Sequence, residues 1–117
     1  MKTQIWSKQD FTLGELFDVV VNCESNTKIL NSCFTPEYTK QQLELNNISD
    51  FEPIDEFYLE SPKTLTAVSW KNGNVTIKDL ELKSFPLDCI IERDVDDGYV
   101  YSNYDNIVFN ENYIVLC

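Results

Sequence analysis

The chain has 117 residues, 43% hydrophobic and 13% aromatic, with 20 acids against 9 bases and a net charge of −11. That length suits one domain, and the apolar content argues against a disordered chain. The charge disfavours direct binding to nucleic-acid phosphates or to an anionic membrane surface. A basic protein surface is the natural partner, met fastest at low salt, although acidity also serves solubility alone.

Met1 to Trp6 lack the apolar run that follows the basic start of a signal peptide. No stretch reaches transmembrane length. A cytoplasmic protein is expected, with Cys23, Cys33, Cys89 and Cys117 as thiols. The chain has no Cys-x-x-Cys and no histidine, hence no zinc signature.

Lys2 to Trp6 reads as a first strand. Thr12-Leu13-Gly14-Glu15 has the form of a capping box. Leu13, Leu16, Phe17 and Val20 follow at helical spacing, which predicts a helix from Leu13 to Val21. A strand is expected over Lys28 to Phe34. Thr35-Pro36 then opens a second helix, with a capping hydroxyl and proline at the first helical position. It should stop at Asn46-Asn47 and lie on the surface, because its apolar face (Tyr38, Leu43, Leu45) is thin.

Between Gln41 and Pro62 stand six acids and no base. Phe57-Tyr58-Leu59 is a candidate short strand there, and Asp55, Glu56 and Tyr58 form a first candidate contact patch. Asn72-Gly73 is a strong two-residue turn signal. It predicts a hairpin over Thr64 to Lys78 that pairs Trp70 with Val75 and Val68 with Ile77. Leu80 and Leu82 break the parity of that hairpin, which demands a bulge or a break near Lys78-Asp79.

Ile90 to Tyr101 predicts a second hairpin around Asp97-Gly98. Ile91, Arg93, Val95 and Val100 would share one face. Glu92, Asp94, Asp96, Tyr99 and Tyr101 would share the other. Same-face carboxylates about 7 Å apart along a strand repel within a Debye length of about 8–10 Å. Tyr104 and Asp105 extend this second patch. From Asp94 to Cys117 there are five acids and no base. Ile107-Val108-Phe109 and Tyr113-Ile114-Val115-Leu116 are continuous apolar runs, which predict central strands covered on both faces, with the Leu13–Val21 helix on one of them.

No catalytic scheme built on histidine is open to this chain. Its three glycines, Gly14, Gly73 and Gly98, make no phosphate-binding loop. Asp94 to Asp105 fails as a calcium loop, with Tyr99 where glycine is needed and Asp105 where glutamate is usual.

The predicted fold is α+β. It is one domain over residues 1–117, with one antiparallel sheet of about five or six strands, mostly C-terminal, and two N-terminal helices. The expected function is binding without catalysis or cofactor. Acids and tyrosines would occupy the channel of a basic, nucleic-acid-handling protein, carboxylates standing in for phosphates and tyrosines supplying rigid contact area. Small acidic chains without catalytic motifs are common among anti-CRISPR and anti-restriction proteins of phages and mobile elements. Size and charge are what this chain shares with them. One alternative is an immunity protein that neutralises a basic nuclease toxin. Another is a small enzyme whose paired carboxylates hold Mg²⁺ for phosphoryl chemistry.

Overall fold

A computed structural model describes residues 2–69, 73–94 and 103–117. The C-terminal apolar runs form the middle of a five-stranded sheet. Its strands are β1 (Gln4–Ser7), β2 (Lys28–Asn31), β3 (Glu52–Pro53), β7 (Asn106–Phe109) and β8 (Tyr113–Leu116), in the order β1-β7-β8-β2-β3. Antiparallel pairing holds throughout except between β2 and β8, which run parallel. Register aligns Ile29 with Ile114, and Ile114 with Phe109. Alternation then sends Ile29, Ile107, Ile114 and Leu116 into the main core. Leu30, Val108 and Val115 face a second, smaller core. Both faces are covered, as continuous apolar runs require.

The helix α1 (Leu13–Val19) packs on the main core through Leu13 and Leu16. Its capping box forms as expected: Glu15 N donates to Thr12 Oγ1 (3.2 Å), and Thr12 N donates to Glu15 Oε1 (3.0 Å). Lys8 pairs with the same carboxylate and, with the capping hydrogen bonds, holds it below the usual carboxylate range. On the opposite face of the sheet, α2 (Pro36–Glu44) starts at Thr35, whose hydroxyl accepts from Tyr38 N. It ends in a Schellman motif: Asn46 N donates to Leu43 O, Asn47 N donates to Gln42 O, and Asn46 is left-handed with φ 56°. The expected apolar face is corrected here. Tyr38 and Leu45 are exposed, while Thr39, Gln42 and Leu43 are buried. The Thr39 hydroxyl is satisfied by Ser32 Oγ at 2.8 Å, so a partly polar stripe can pack on the sheet.

The single antiparallel sheet is also corrected. β4 (Glu56–Ser61), β5 (Thr64–Val68) and β6 (Ile90–Arg93) form a separate three-stranded sheet in that order. β4 and β5 are an antiparallel hairpin turning at Pro62-Lys63, and β5 and β6 are parallel. Parallel neighbours need a crossover. It contains a third helix, α3 (Ile77–Lys83), where the sequence suggested a returning strand. The predicted hairpin over Thr64 to Lys78 therefore does not form. Residues 70–72 lie outside the described residues. Gly73 is not in the left-handed conformation that its predicted turn requires. It is needed for close approach, since a Cβ there would meet Ile54 O at 2.2 Å. The parity break at Leu80 has the same cause. Ile77 and Leu80 are buried at helical spacing, and Thr76 with Asp79 forms a second capping box.

The two sheets share the main core. Phe57, Leu65, Ala67 and Ile91 meet Ile29, Ile107 and Ile114 there, with α1 and α3 closing its sides. Among the described residues no helix is long and apolar enough to cross a membrane.

Candidate functional site

The three-stranded sheet packs one face on the main core. On its other face Thr66 and Val68 of the central strand are buried too, while Glu56, Tyr58 and Glu60 of β4 are exposed and Glu92 of β6 is half-buried. Phe57, Leu65, Ala67 and Ile91 point inward. Register aligns Tyr58 with Thr66, and Thr66 with Glu92, so these three form one row on the opposite face. Glu56 shares the parity of Tyr58. A bulge between Leu59 and Ser61 leaves Glu60 on this face as well, where Glu60 Oε2 accepts from Thr66 Oγ1 at 3.0 Å. Tyr58 and Glu92 are two strands apart, about 9–10 Å at ordinary strand spacing. Asp10 joins at the margin. Its Oδ1 accepts from Asn103 Nδ2, and Asn103 bridges to Glu92.

The structure thus brings together residues from the two patches that the sequence names separately. Glu56 and Tyr58 come from the first, Glu92 from the second. Asp94 follows β6 with the parity of Glu92, half-buried, its amide donating to Ala67 O at 2.9 Å. Glu60 and Asp10 were missed. Glu60 shares the parity of Tyr58 but lies one residue beyond the expected Phe57-Tyr58-Leu59 strand, which β4 extends to Ser61. Asp10 reaches the face only through tertiary pairing, which no local spacing encodes.

Other expected contacts lie elsewhere. Asp105 is exposed, but it stands beside the five-stranded sheet, where its carbonyl accepts from Lys8 N and its amide donates to Cys117 O. Asp55 is half-buried between β3 and β4. Tyr104 is corrected outright. It is 1% exposed, its hydroxyl donates to Asn31 Oδ1 at 2.7 Å, and burial pushes its pKa up. A ring buried in the main hydrophobic core offers no contact area to a partner. Asp96, Asp97, Tyr99 and Tyr101 lie outside the described residues.

The sole arginine, Arg93, sits beneath the acidic face. As expected it shares the inward side with Ile91. Its Nη2 donates to Ser32 O (2.7 Å), its Nη1 meets Cys33 Sγ (3.7 Å), and its guanidinium lies 4.9 Å from the Tyr104 ring centroid. The one arginine is thereby engaged with the other sheet.

Electrostatics mark Glu92. Burial raises its pKa, and the Glu60 and Asp10 carboxylates raise it further. With a raised folded-state pKa, its contribution to stability is full below the ordinary value of 4.5 and fades as pH rises through the folded value. Glu92→Gln should therefore melt slightly higher than the wild type near neutral pH, and equally well below pH 4.5. Calorimetry at the two pH values checks this; a lower melting temperature near neutral pH would contradict the repulsion.

The ion pairs among the described residues are Lys8–Glu15, Lys40–Glu44 and Lys63–Asp88. None of them engages Glu56, Glu60 or Glu92. Among the described residues no group of three or more cysteines and acids is placed to hold a metal ion. No family model, no curated protein and no solved structure matches this chain, so the reading of the site rests on its own geometry.

Proposed function

We propose that the protein is a binding module without catalysis, an inhibitor that sets the outward face of the three-stranded sheet against a basic, nucleic-acid-handling protein. One observation carries the reading. Strand register gathers Glu56, Tyr58, Glu60 and Glu92 on one face, and no ion pair among the described residues neutralises its carboxylates. Carboxylates accept charge-assisted hydrogen bonds from arginine and lysine, as phosphates do. Tyr58, 38% exposed between two of them, supplies flat contact area at low entropic cost. The remaining charge of the chain steers the encounter. In this reading the protein competes with nucleic acid for one channel, as anti-CRISPR and anti-restriction proteins of the mimic type do.

The test is competitive capture from a host lysate, with wild type and the Glu60→Lys/Glu92→Lys variant as baits. A partner should be retained by the wild type, released by short duplex DNA, and lost with the variant. Retention that resists DNA, or that is equal on both baits, would overturn the proposal.

A further inference from the structure

A groove of about 470 Å³ lies between the start of β4 and α3, next to the acidic face and sharing Glu56 with it. Phe57, Val75, Leu82 and Phe85 give it an apolar lining. Its walls follow from the crossover. Val75 is held by Ile54 O on one side and by Ile29 N on the other. The helix α3 ends at Ser84, left-handed with φ 53°, and Phe85 beyond it packs back onto the core. Leu82 stands at the groove 72% exposed, a large apolar side chain left in water.

Charge surrounds this lining. Among the described lining residues the charged groups are Asp55, Glu56, Asp79 and Lys83. Asp79 is fixed in place, its Oδ2 accepting from both the amide and the hydroxyl of Thr76. Glu56 belongs both to the groove and to the acidic face, so a partner covering the face reaches the groove. The volume is at the small end of the roughly 300–1,000 Å³ typical of ligand pockets. It suits one or two side chains and is too small for a packed helix.

We propose that this groove seats an apolar side chain of the partner that is flanked by lysine or arginine. The apolar lining selects the side chain, and the carboxylates select its neighbours. This deepens the reading above and rests on it, because it assumes a basic partner.

The test is an NMR titration of the ¹⁵N-labelled protein with two synthetic peptides, Lys-Lys-Phe-Lys-Lys and Lys-Lys-Ser-Lys-Lys. The phenylalanine peptide should move the amides of Val75, Leu82 and Phe85 saturably. The serine peptide should bind about tenfold or more weakly, the factor that burying one aromatic side chain supplies. Leu82→Ser should weaken the phenylalanine peptide alone, and its exposure keeps the fold out of the result. Equal shifts from both peptides, confined to Glu60, Thr66 and Glu92, would overturn the groove and leave the acidic face standing. No shift from either peptide would overturn the groove and remove support from the acidic face too.

Discussion

Gly73→Ala is expected to cost about 3–5 kcal/mol, at the diagnostic end of single-substitution effects. The added Cβ would sit 2.2 Å from Ile54 O, 2.4 Å from Ile54 C and 2.5 Å from Asp55 Cα. All three are backbone atoms, so no rotamer change relieves the clash. Ordinary overpacking of a core costs about 1–3 kcal/mol. Here the displaced segment also carries hydrogen bonds. Val75 N donates to Ile54 O at 3.4 Å, Ile54 N to Ile29 O at 3.4 Å, and Ile29 N to Val75 O at 3.0 Å. Moving residues 73–75 away from Ile54 pulls at that whole set and opens a fully buried side chain to water. Urea unfolding followed by circular dichroism checks the value. A midpoint near that of the wild type would show that the chain at position 73 is not packed in this way.

Arg93→Ala is expected to cost about 2–4 kcal/mol. The guanidinium is the polar tie between the two sheets. It donates from β6 to Ser32 O just beyond β2, and it covers the ring of Tyr104 just before β7. A hydrogen bond to a charged group contributes about 1.5–3 kcal/mol, and a cation over an aromatic ring about 0.5–2 kcal/mol. The alanine also leaves the Ser32 carbonyl without this donor and uncovers Tyr104. Lysine at this position keeps the charge but loses the planar, multi-donor geometry. Arg93→Lys should therefore recover less than half of the loss. Chemical unfolding of both variants tests this. A change within about 0.5 kcal/mol for alanine, the range of an ordinary surface substitution, would contradict the tie.

What the sequence revealed and what it hid divide along local and non-local lines. The capping box at Thr12 and Glu15, the Thr35-Pro36 start and the Asn46-Asn47 stop are local chemistry, and each helix stands close to its predicted bounds. The runs at Ile107 and Tyr113 needed only their lack of alternation to read as central strands. The β5-α3-β6 crossover was hidden because Asn72-Gly73 carries a strong hairpin signal, while parallel pairing has no short-range signature. The correcting signal was present in Thr76-x-x-Asp79, a capping pattern followed by Leu80 at helical spacing from Ile77. The candidate site divides in the same way. Glu56, Tyr58 and Glu92 were named from composition and strand alternation. Their meeting on one face depends on β5 lying between β4 and β6. Tyr104 was misplaced because aromatic identity alone does not tell a core ring from a surface one, and its partner Asn31 is 73 residues away.

Carboxyl footprinting of the protein with and without its captured partner tests the central claim most directly. Carbodiimide coupling to a glycine ester labels accessible carboxylates, and peptide mass spectrometry assigns them. Glu56, Glu60 and Glu92 should lose reactivity in the complex, while Glu37 and Glu44 on α2 and Asp50 beside it keep theirs. Protection of the α2 carboxylates with Glu60 and Glu92 unchanged would contradict the account.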